Sequence, residues 1–430
     1  MITEIDEIIQ AQFDEQGPGV AVAVVRYGEV IHRNGYGLAN LEWNCAIAPD
    51  TVFRLASITK PFTAAAILLL EKQGKLKVDD PITEYLPDYP TQGRTISIAH
   101  LLTHTSGIKS YTGLEDFFEK YGRNDLSHEE LIALFKDVPL EFEPGERFNY
   151  CNSGYYLLGV IIEKLSAMSY GEFVREHIFK PLEMEHSYYM DNEAIIPHRA
   201  SGYRKTDQGY QHAAYISMKP PYAAGSLGST IEDLVRWDAA LREERLLDKD
   251  TQERMYTPTK LTNGETSEYG FGWGISNYHG HKLVSHSGGI HGFSTFLARF
   301  LDDATTVIVL VNQEGFEVGK LIRLISCQVL GISVPAREAV SLDEALLDKV
   351  SGAYTFSQGF TVDVVRDGEK LSMQGGISLE LMPLSETTFY ASSDEELEVH
   401  FSDLDEEGYK TISIQIPLIS AFLGTRTQQV

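Results

Sequence analysis

Ser57-Ile58-Thr59-Lys60 places a hydroxyl and an amine three residues apart, a spacing that puts both on one face of a helix. Serine is a poor nucleophile at neutral pH and must pass its proton to a neighbour before attacking a carbonyl. A lysine in a dry site, or beside other cations, loses enough basicity to help. A helix N-terminus adds partial positive charge and free N–H groups beside the reacting carbonyl. Taken alone, the pattern is more often that of a capping serine and a solvated lysine. Two later segments carry related chemistry. In Tyr150-Cys151-Asn152, residues two apart point the same way in an extended chain, so a phenol and an amide can share a cleft. A tyrosine near an ammonium becomes more acidic and can shuttle a proton. His286-Ser287-Gly288-Gly289 follows a strand pattern over Lys282 to Ser285. Its glycines read either as a turn or as room for a substrate's backbone, with one backbone N–H completing an oxyanion hole with that of Ser57.

The elements that must position these groups are legible from periodicity. Met1 to Ile9 reads as an amphipathic helix, and Val20 to Val25, Tyr27-Gly28 and Glu29 to Ile31 as a hairpin. Residues 57 to 72 are apolar nearly all round, as in a helix buried within a domain. Pro61 is tolerated only near a first turn, so this helix should start close to Ser57. Residues 75 to 270 read as an irregular all-helical region, with helices near 128–136, 153–166, 170–178 and 231–242. Strands return at Lys282 to Ser285, Thr295 to Phe300 and Thr305 to Val311, before a helix over Val318 to Leu330. Strands at both ends of this stretch predict one antiparallel sheet closed by both ends of the segment, with the helical region inserted. A lapse around Gly331 to Ala345 precedes short alternating runs at Phe360 to Val365, Lys370 to Met373, Leu379 to Met382, Glu398 to Phe401 and Lys410 to Ile416. With the Asp367-Gly368 turn, these predict a small antiparallel β-barrel.

Composition narrows the partners. The 430 residues carry 36 Lys plus Arg against 62 Asp plus Glu, a net charge of −26, which repels phosphate backbones and anionic lipid surfaces. Nucleic acid is excluded as an expected partner. The longest apolar run, Ala64 to Leu70, is far short of the ~20 residues that span a bilayer. Cys45, Cys151 and Cys327 are too few and too scattered for a disulfide framework. No signal-peptide pattern opens the chain, so the expected location is cytoplasmic, or periplasmic or extracellular if a leader has been removed.

Four segments in order carry a family resemblance: Phe53-Arg54-Leu55-Ala56-Ser57-Ile58-Thr59-Lys60, His100-Leu101-Leu102-Thr103-His104-Thr105-Ser106-Gly107-Ile108, Phe148-Asn149-Tyr150-Cys151-Asn152-Ser153-Gly154-Tyr155, and His286 to Phe293. Over nearly all of residues 1 to 330 the chain resembles the serine β-lactamase and penicillin-binding-protein superfamily. Within it, the likeness is to the class C-like branch of β-lactamases, D-aminopeptidases, D-Ala-D-Ala carboxypeptidases and esterases. The resemblance implies an α/β fold, an antiparallel sheet flanked by helices with an all-helical subdomain, in a catalytic domain over 1–335. A C-terminal lipocalin-like barrel is expected over 346–430, walling the cleft or supporting a homo-oligomer.

By the same resemblance, Ser57 would be the acylated nucleophile, Lys60 its activator, and Tyr150 a base toward Ser57 and acid toward the leaving group. Asn152 would hold the substrate's amide, with His286, Ser287 and Gly288 also binding substrate. The N–H groups of Ser57 and Gly289 would form the oxyanion hole. Whether Lys60 or Tyr150 takes the first proton is left open, since the two titrate as a pair. No cofactor and no metal is implied. One departure matters: many relatives have Lys where this chain has His286, and a mostly neutral imidazole binds a substrate carboxylate less well. Efficient penicillin hydrolysis is therefore not expected. The implied function is a serine hydrolase acting on small peptides containing a D-residue or on short-chain esters. The alternative is a non-catalytic penicillin-binding or sensor protein.

Other chemistries fail on the residues. His279, His281, His286 and His291 lack the ligand spacing of a zinc lactamase, because Leu283 and Val284 interrupt it. Gly35-Tyr36-Gly37 lacks the third glycine of a dinucleotide loop, and no Gly-x-Ser-x-Gly elbow occurs. His104 reads as a structural hydrogen-bonding residue.

Overall fold

A computed structural model describes residues 2–356, 361–375, 378–406, 408–418 and 422–427. The opening periodicity becomes helix α1 (Ile2–Gln10), which buries Ile5 and Ile9 and leaves Glu4 and Glu7 in solvent. Strand β1 (Val20–Arg26) turns through Tyr27-Gly28 into β2 (Glu29–Tyr36). Both turn residues have positive φ, 51° and 86°, which a two-residue hairpin of this hand requires. Helices α2 (Thr59–Lys72), α3 (Asn152–Ser166) and α4 (Ile231–Arg242) follow. Strands β3 (Gly274–Tyr278), β4 (His281–Ile290), β5 (Phe293–Phe300) and β6 (Thr305–Val311) then lead to helix α5 (Val318–Leu330).

The sheet runs β3-β4-β5-β6-β1-β2 and every pairing is antiparallel. Its closure is set where β1 meets β6, in register from Val20↔Val311 to Arg26↔Thr305. Both faces are covered, which is why β1 is apolar without alternation. Ala21 and Ala23, with Leu297, Ile308 and Leu310 across the ladder, join the core of α2 and α4, where Phe62 packs on Trp237 at 4.4 Å between ring centres. The alternate residues Val22, Val309 and Phe296 are equally buried, on the side where α5 and α1 lie. The expected α/β architecture, a sheet flanked by helices with a helical region inserted, is present.

Three details differ from the sequence reading. The inserted region is not purely helical: Tyr203–Thr206 pairs with Gly209–His212, and Phe53–Arg54 and Tyr188–Tyr189 flank Leu227–Ser229. An edge strand, β3, was not foreseen. The strand expected to stop at Ser285 continues to Ile290, so the His286 to Gly289 motif lies inside β4 and the turn falls at His291-Gly292.

The chain divides into two compact units, Met1–Gly331 and Ile332–Val430. In the second, helix α6 (Glu344–Val350) precedes a closed antiparallel barrel. Its strands are β7 (Gly352–Phe356), β8 (Thr361–Asp367), β9 (Lys370–Gln374), β10 (Leu379–Pro383), β11 (Thr388–Ala391), β12 (Asp394–Leu404), β13 (Tyr409–Gln415) and β14 (Phe422–Arg426). The barrel was expected, but β7, β11 and β14 were not. Phe360, expected to start a strand, lies outside the described residues. Tyr354, Phe389, Val399, Phe401 and Ile412 fill the interior with Leu347 and Val350 from α6. Among the described residues no helix is long and apolar enough to cross a membrane.

Candidate active site

Ser57 is presented by a short chain of constraints. Phe53 and Arg54 pair with Ser229 and Gly228, and the Leu55 N–H donates to the Leu227 carbonyl at 2.9 Å. Ala56 then adopts a left-handed φ of 50°, a conformation that costs a residue with a Cβ about 1–2 kcal/mol. A 3₁₀ turn, Ala56–Ile58, carries Ser57 into α2, which starts at Thr59 with Pro61 in its first turn. From Leu55 to Lys60 only the Ser57 side chain reaches solvent.

Lys60 is fully buried, with Nζ 3.1 Å from Ser57 Oγ, 2.9 Å from Asn152 Oδ1 and 2.9 Å from the Ala224 carbonyl. It also lies over the rings of Tyr150 and Tyr155, at 4.7 and 5.4 Å. Among the described residues no carboxylate pairs with it. Burial therefore drives its basicity well below that of an ordinary lysine. A neutral amine keeps two N–H donors for Asn152 and Ala224 and turns its lone pair toward the Ser57 hydroxyl.

Tyr150 and Asn152 flank an extended Cys151, so both side chains reach the same region as expected. The expected acidification of Tyr150 is not found. Burial raises its phenol above the usual range, and a hydrogen bond with Ser57 opposes that only in part. The sequence showed a nearby lysine but not that both groups are desolvated. Asn152 opens α3. Its Oδ1 accepts from Lys60, its Nδ2 donates to Thr112 Oγ1 at 3.0 Å, and its backbone N–H donates to Ser110 Oγ at 3.1 Å.

His104, with a φ of 59°, is buried behind Tyr150, their rings 4.3 Å apart. Its Nδ1 accepts the Cys151 N–H at 2.9 Å, which leaves the proton on Nε2. It buttresses the segment that carries Tyr150.

His286 is buried and both ring nitrogens are engaged. Nδ1 lies 2.6 Å from the Ser287 carbonyl and must donate, so Nε2 accepts from the Tyr269 hydroxyl at 2.8 Å. Burial above all pushes the imidazole down to about 3. It presents no positive charge to a substrate. Gly288 is glycine for room: a Cβ there would meet Thr295 Oγ1 at 2.3 Å and the Leu55 carbonyl at 2.4 Å. Gly289 faces open space. β3 leaves β4 at Gly274↔Ser285, so one backbone edge of β4 is free of strand pairing from His286 onward.

A cleft of about 430 Å³ opens over Ser57, Asn152 and Gly289, a size that suits a small ligand. Lys60, Tyr150, His286, Ser287 and Gly288 are not in its lining; Lys60 reaches it through Ser57 and Asn152. Sequence reasoning missed Thr112 and Ser110, which fix Asn152, the Ala224 carbonyl, which holds Lys60, and Tyr269, which holds His286. It also missed Glu314 and the aromatic wall of Phe117, Phe118 and Phe293. Of these only Phe293 lies in a segment already singled out, at the end of His286 to Phe293, where it was given no role; the others sit in no spaced motif.

Known proteins resemble this chain over most of its length. A family model described as Beta-lactamase matches residues 5–328. Penicillin-binding protein 4* of Bacillus subtilis (strain 168) is 33% identical over 393 residues, 84% of this chain and 85% of that protein. An octameric penicillin-binding protein homologue from Pyrococcus abyssi superposes with a TM-score of 0.70 and 29% identity, over 98% of this chain and 99% of that one. A D-stereospecific amidohydrolase from Streptomyces sp. does so with a TM-score of 0.64 and 25% identity, over 77% of this chain and 100% of that one.

Proposed function

Since the chain belongs to the beta-lactamase family of serine hydrolases, we propose that it hydrolyses small amides or esters through an acyl-enzyme on Ser57. The observation that carries this reading is a buried, partner-rich amine, Lys60 Nζ, 3.1 Å from the half-buried Ser57 hydroxyl. In the proposed cycle neutral Lys60 takes the Ser57 proton as Oγ adds to the substrate carbonyl. The N–H groups of Ser57 and Gly289 hold the oxyanion. As the tetrahedral adduct collapses, the C–N or C–O bond breaks, and the proton passes from Lys60, by way of the Tyr150 hydroxyl, to the leaving group. Water then adds to the ester of Ser57 and gives up its proton to the same pair. Release of the acid restores the Ser57 hydroxyl.

Substrate choice follows from charge and shape. A neutral, fully engaged His286 cannot pair with a substrate carboxylate as an ammonium does, so β-lactams are proposed as poor substrates. The amidohydrolase among the similar structures is D-stereospecific by name, which makes D-configured amides the first amide substrates to try. The Pyrococcus abyssi homologue is octameric, and a homo-oligomer is proposed here too. The lipocalin-like character of the barrel is likewise a proposal.

A second reading, a protein that captures penicillin without turnover, is favoured by the name of the Bacillus subtilis relative. Mass spectrometry during exposure to a p-nitrophenyl ester and, separately, to benzylpenicillin separates the two. The hydrolase reading expects a transient ester adduct on Ser57 and steady release of product. A permanent adduct from both reagents supports capture, and no adduct with either contradicts the nucleophile assignment.

A further inference from the structure

Glu314 lies in the loop after β6 and lines the same cleft as Ser57. Its position is set from the backbone: its own N–H donates to the Tyr203 carbonyl at 2.9 Å, and its Oε2 accepts the Gly292 N–H at 2.8 Å. Gly292 is the turn residue between β4 and β5, with a φ of 83°, so the carboxylate is tied to the hairpin that carries Gly289. Among the described residues no lysine or arginine pairs with it. Among the described residues it is also the one acidic or basic side chain other than histidine in the lining. The imidazole of its neighbour His291 is held below its usual range chiefly by burial, with Glu314 opposing the shift and Arg54 adding to it. Arg54, whose charge acts on His291, lies over the Phe293 ring at 5.8 Å and is not part of the lining.

A carboxylate at the edge of a cleft, with no lysine or arginine partner among the described residues, offers a complementary charge to a cationic ligand group. The same charge repels a ligand carboxylate. Beside it, Phe117, Phe118, Ile216 and Phe293 supply an apolar wall. We propose that Glu314 receives the protonated amino group of the substrate, which would then be an amide or ester of an amino acid or short peptide with a free N-terminus and an apolar first side chain. This rests on the hydrolase reading above and narrows it to an aminopeptidase-like or amino-acid-amidase specificity, away from carboxypeptidase chemistry.

The test is competition against p-nitrophenyl butyrate hydrolysis, which needs no amine. D-phenylalaninamide and N-acetyl-D-phenylalaninamide are compared as inhibitors of the wild type, Glu314→Gln and Glu314→Asp. Gln can still accept the Gly292 N–H through its amide oxygen, so the turn is kept. The expected result is that the free amine binds on the order of tenfold more tightly than its acetylated form in the wild type. Glu314→Gln should abolish that preference and Glu314→Asp should keep part of it. The wild-type preference should also fade above about pH 8, as the α-amine of the ligand loses its proton. Equal binding of the two ligands, or a preference that survives Glu314→Gln, overturns the assignment while leaving the hydrolase reading intact. Failure of the wild type to hydrolyse the ester any faster than Ser57→Ala overturns the hydrolase reading and this inference with it.

Discussion

Tyr269 donates its hydroxyl proton to Nε2 of His286 across 2.8 Å, and the opposite nitrogen of that ring donates to the Ser287 carbonyl. The motif histidine is thus a neutral structural link between β4 and the segment before β3, with no free nitrogen for a ligand. Because the Tyr269 bond requires Nε2 to accept, protonation would turn Nε2 into a donor against the Tyr269 hydroxyl in a buried space, while Nδ1 keeps its bond to the carbonyl.

That link gives stability a defined pH dependence. The folded imidazole is held near 3, whereas the unfolded one returns to about 6.5. Between these values the unfolded chain binds a proton that the folded chain refuses, so the His286 contribution is complete above about pH 6.5 and falls away toward pH 3. In thermal melts from pH 7.5 to 4.5, the wild type should lose Tm more steeply than His286→Gln, whose amide does not titrate. Parallel curves for the two proteins would contradict a buried neutral His286.

Lys60 makes the matching prediction for rate. An amine whose basicity is lowered by burial is already unprotonated at pH values where an ordinary lysine is charged. The acid limb of kcat/KM for ester hydrolysis should therefore report its deprotonation well below 10.5. Lys60→Met should lower kcat by about 10²–10⁴ and remove that limb. Tyr150→Phe should slow the reaction while keeping the limb, because the phenol is held above its usual range. A limb that vanishes in Tyr150→Phe and survives in Lys60→Met would reverse the two roles.

The adjacent glycines of β4 should respond very differently to one methyl group. In Gly288→Ala the new Cβ would press on the Leu55 carbonyl and Thr295 Oγ1, displacing the strand from the Ser57 turn. A destabilisation of about 1–3 kcal/mol is expected, as for overpacking, with most activity lost. Gly289→Ala meets nothing within 4 Å and should melt with the wild type while altering KM. Denaturant titration of both variants checks the contrast, and equal stabilities would contradict the close approach of β4 to Leu55.

The glycines also show what the sequence could and could not convey. Gly288-Gly289 was legible as special, yet a turn was the natural reading because doubled glycine usually supplies positive φ. Neither residue has it. One is needed for space against a segment more than 200 residues away, a requirement no local pattern records. The elements that position the site were easier to read: α2 is apolar all round because it is buried, and β1 is unbroken apolar because both its faces are covered. Ser57, Lys60, Tyr150 and Asn152 were marked by their spacing and given roles through the family resemblance, and the structure brings the four together. The sense of the Tyr150 shift was not legible, since it depends on burial. Tyr269, Thr112 and Glu314 were invisible because each reaches the site from an irregular segment with no periodic neighbour.

The central claim is that Ser57 is the nucleophile. Release of p-nitrophenol from short-chain p-nitrophenyl esters should be followed for the purified wild type and Ser57→Ala side by side, with a thermal melt of each. The account predicts turnover by the wild type, turnover reduced to background in Ser57→Ala, and nearly equal Tm values, because the Ser57 side chain is half exposed. Undiminished hydrolysis by a folded Ser57→Ala would contradict it.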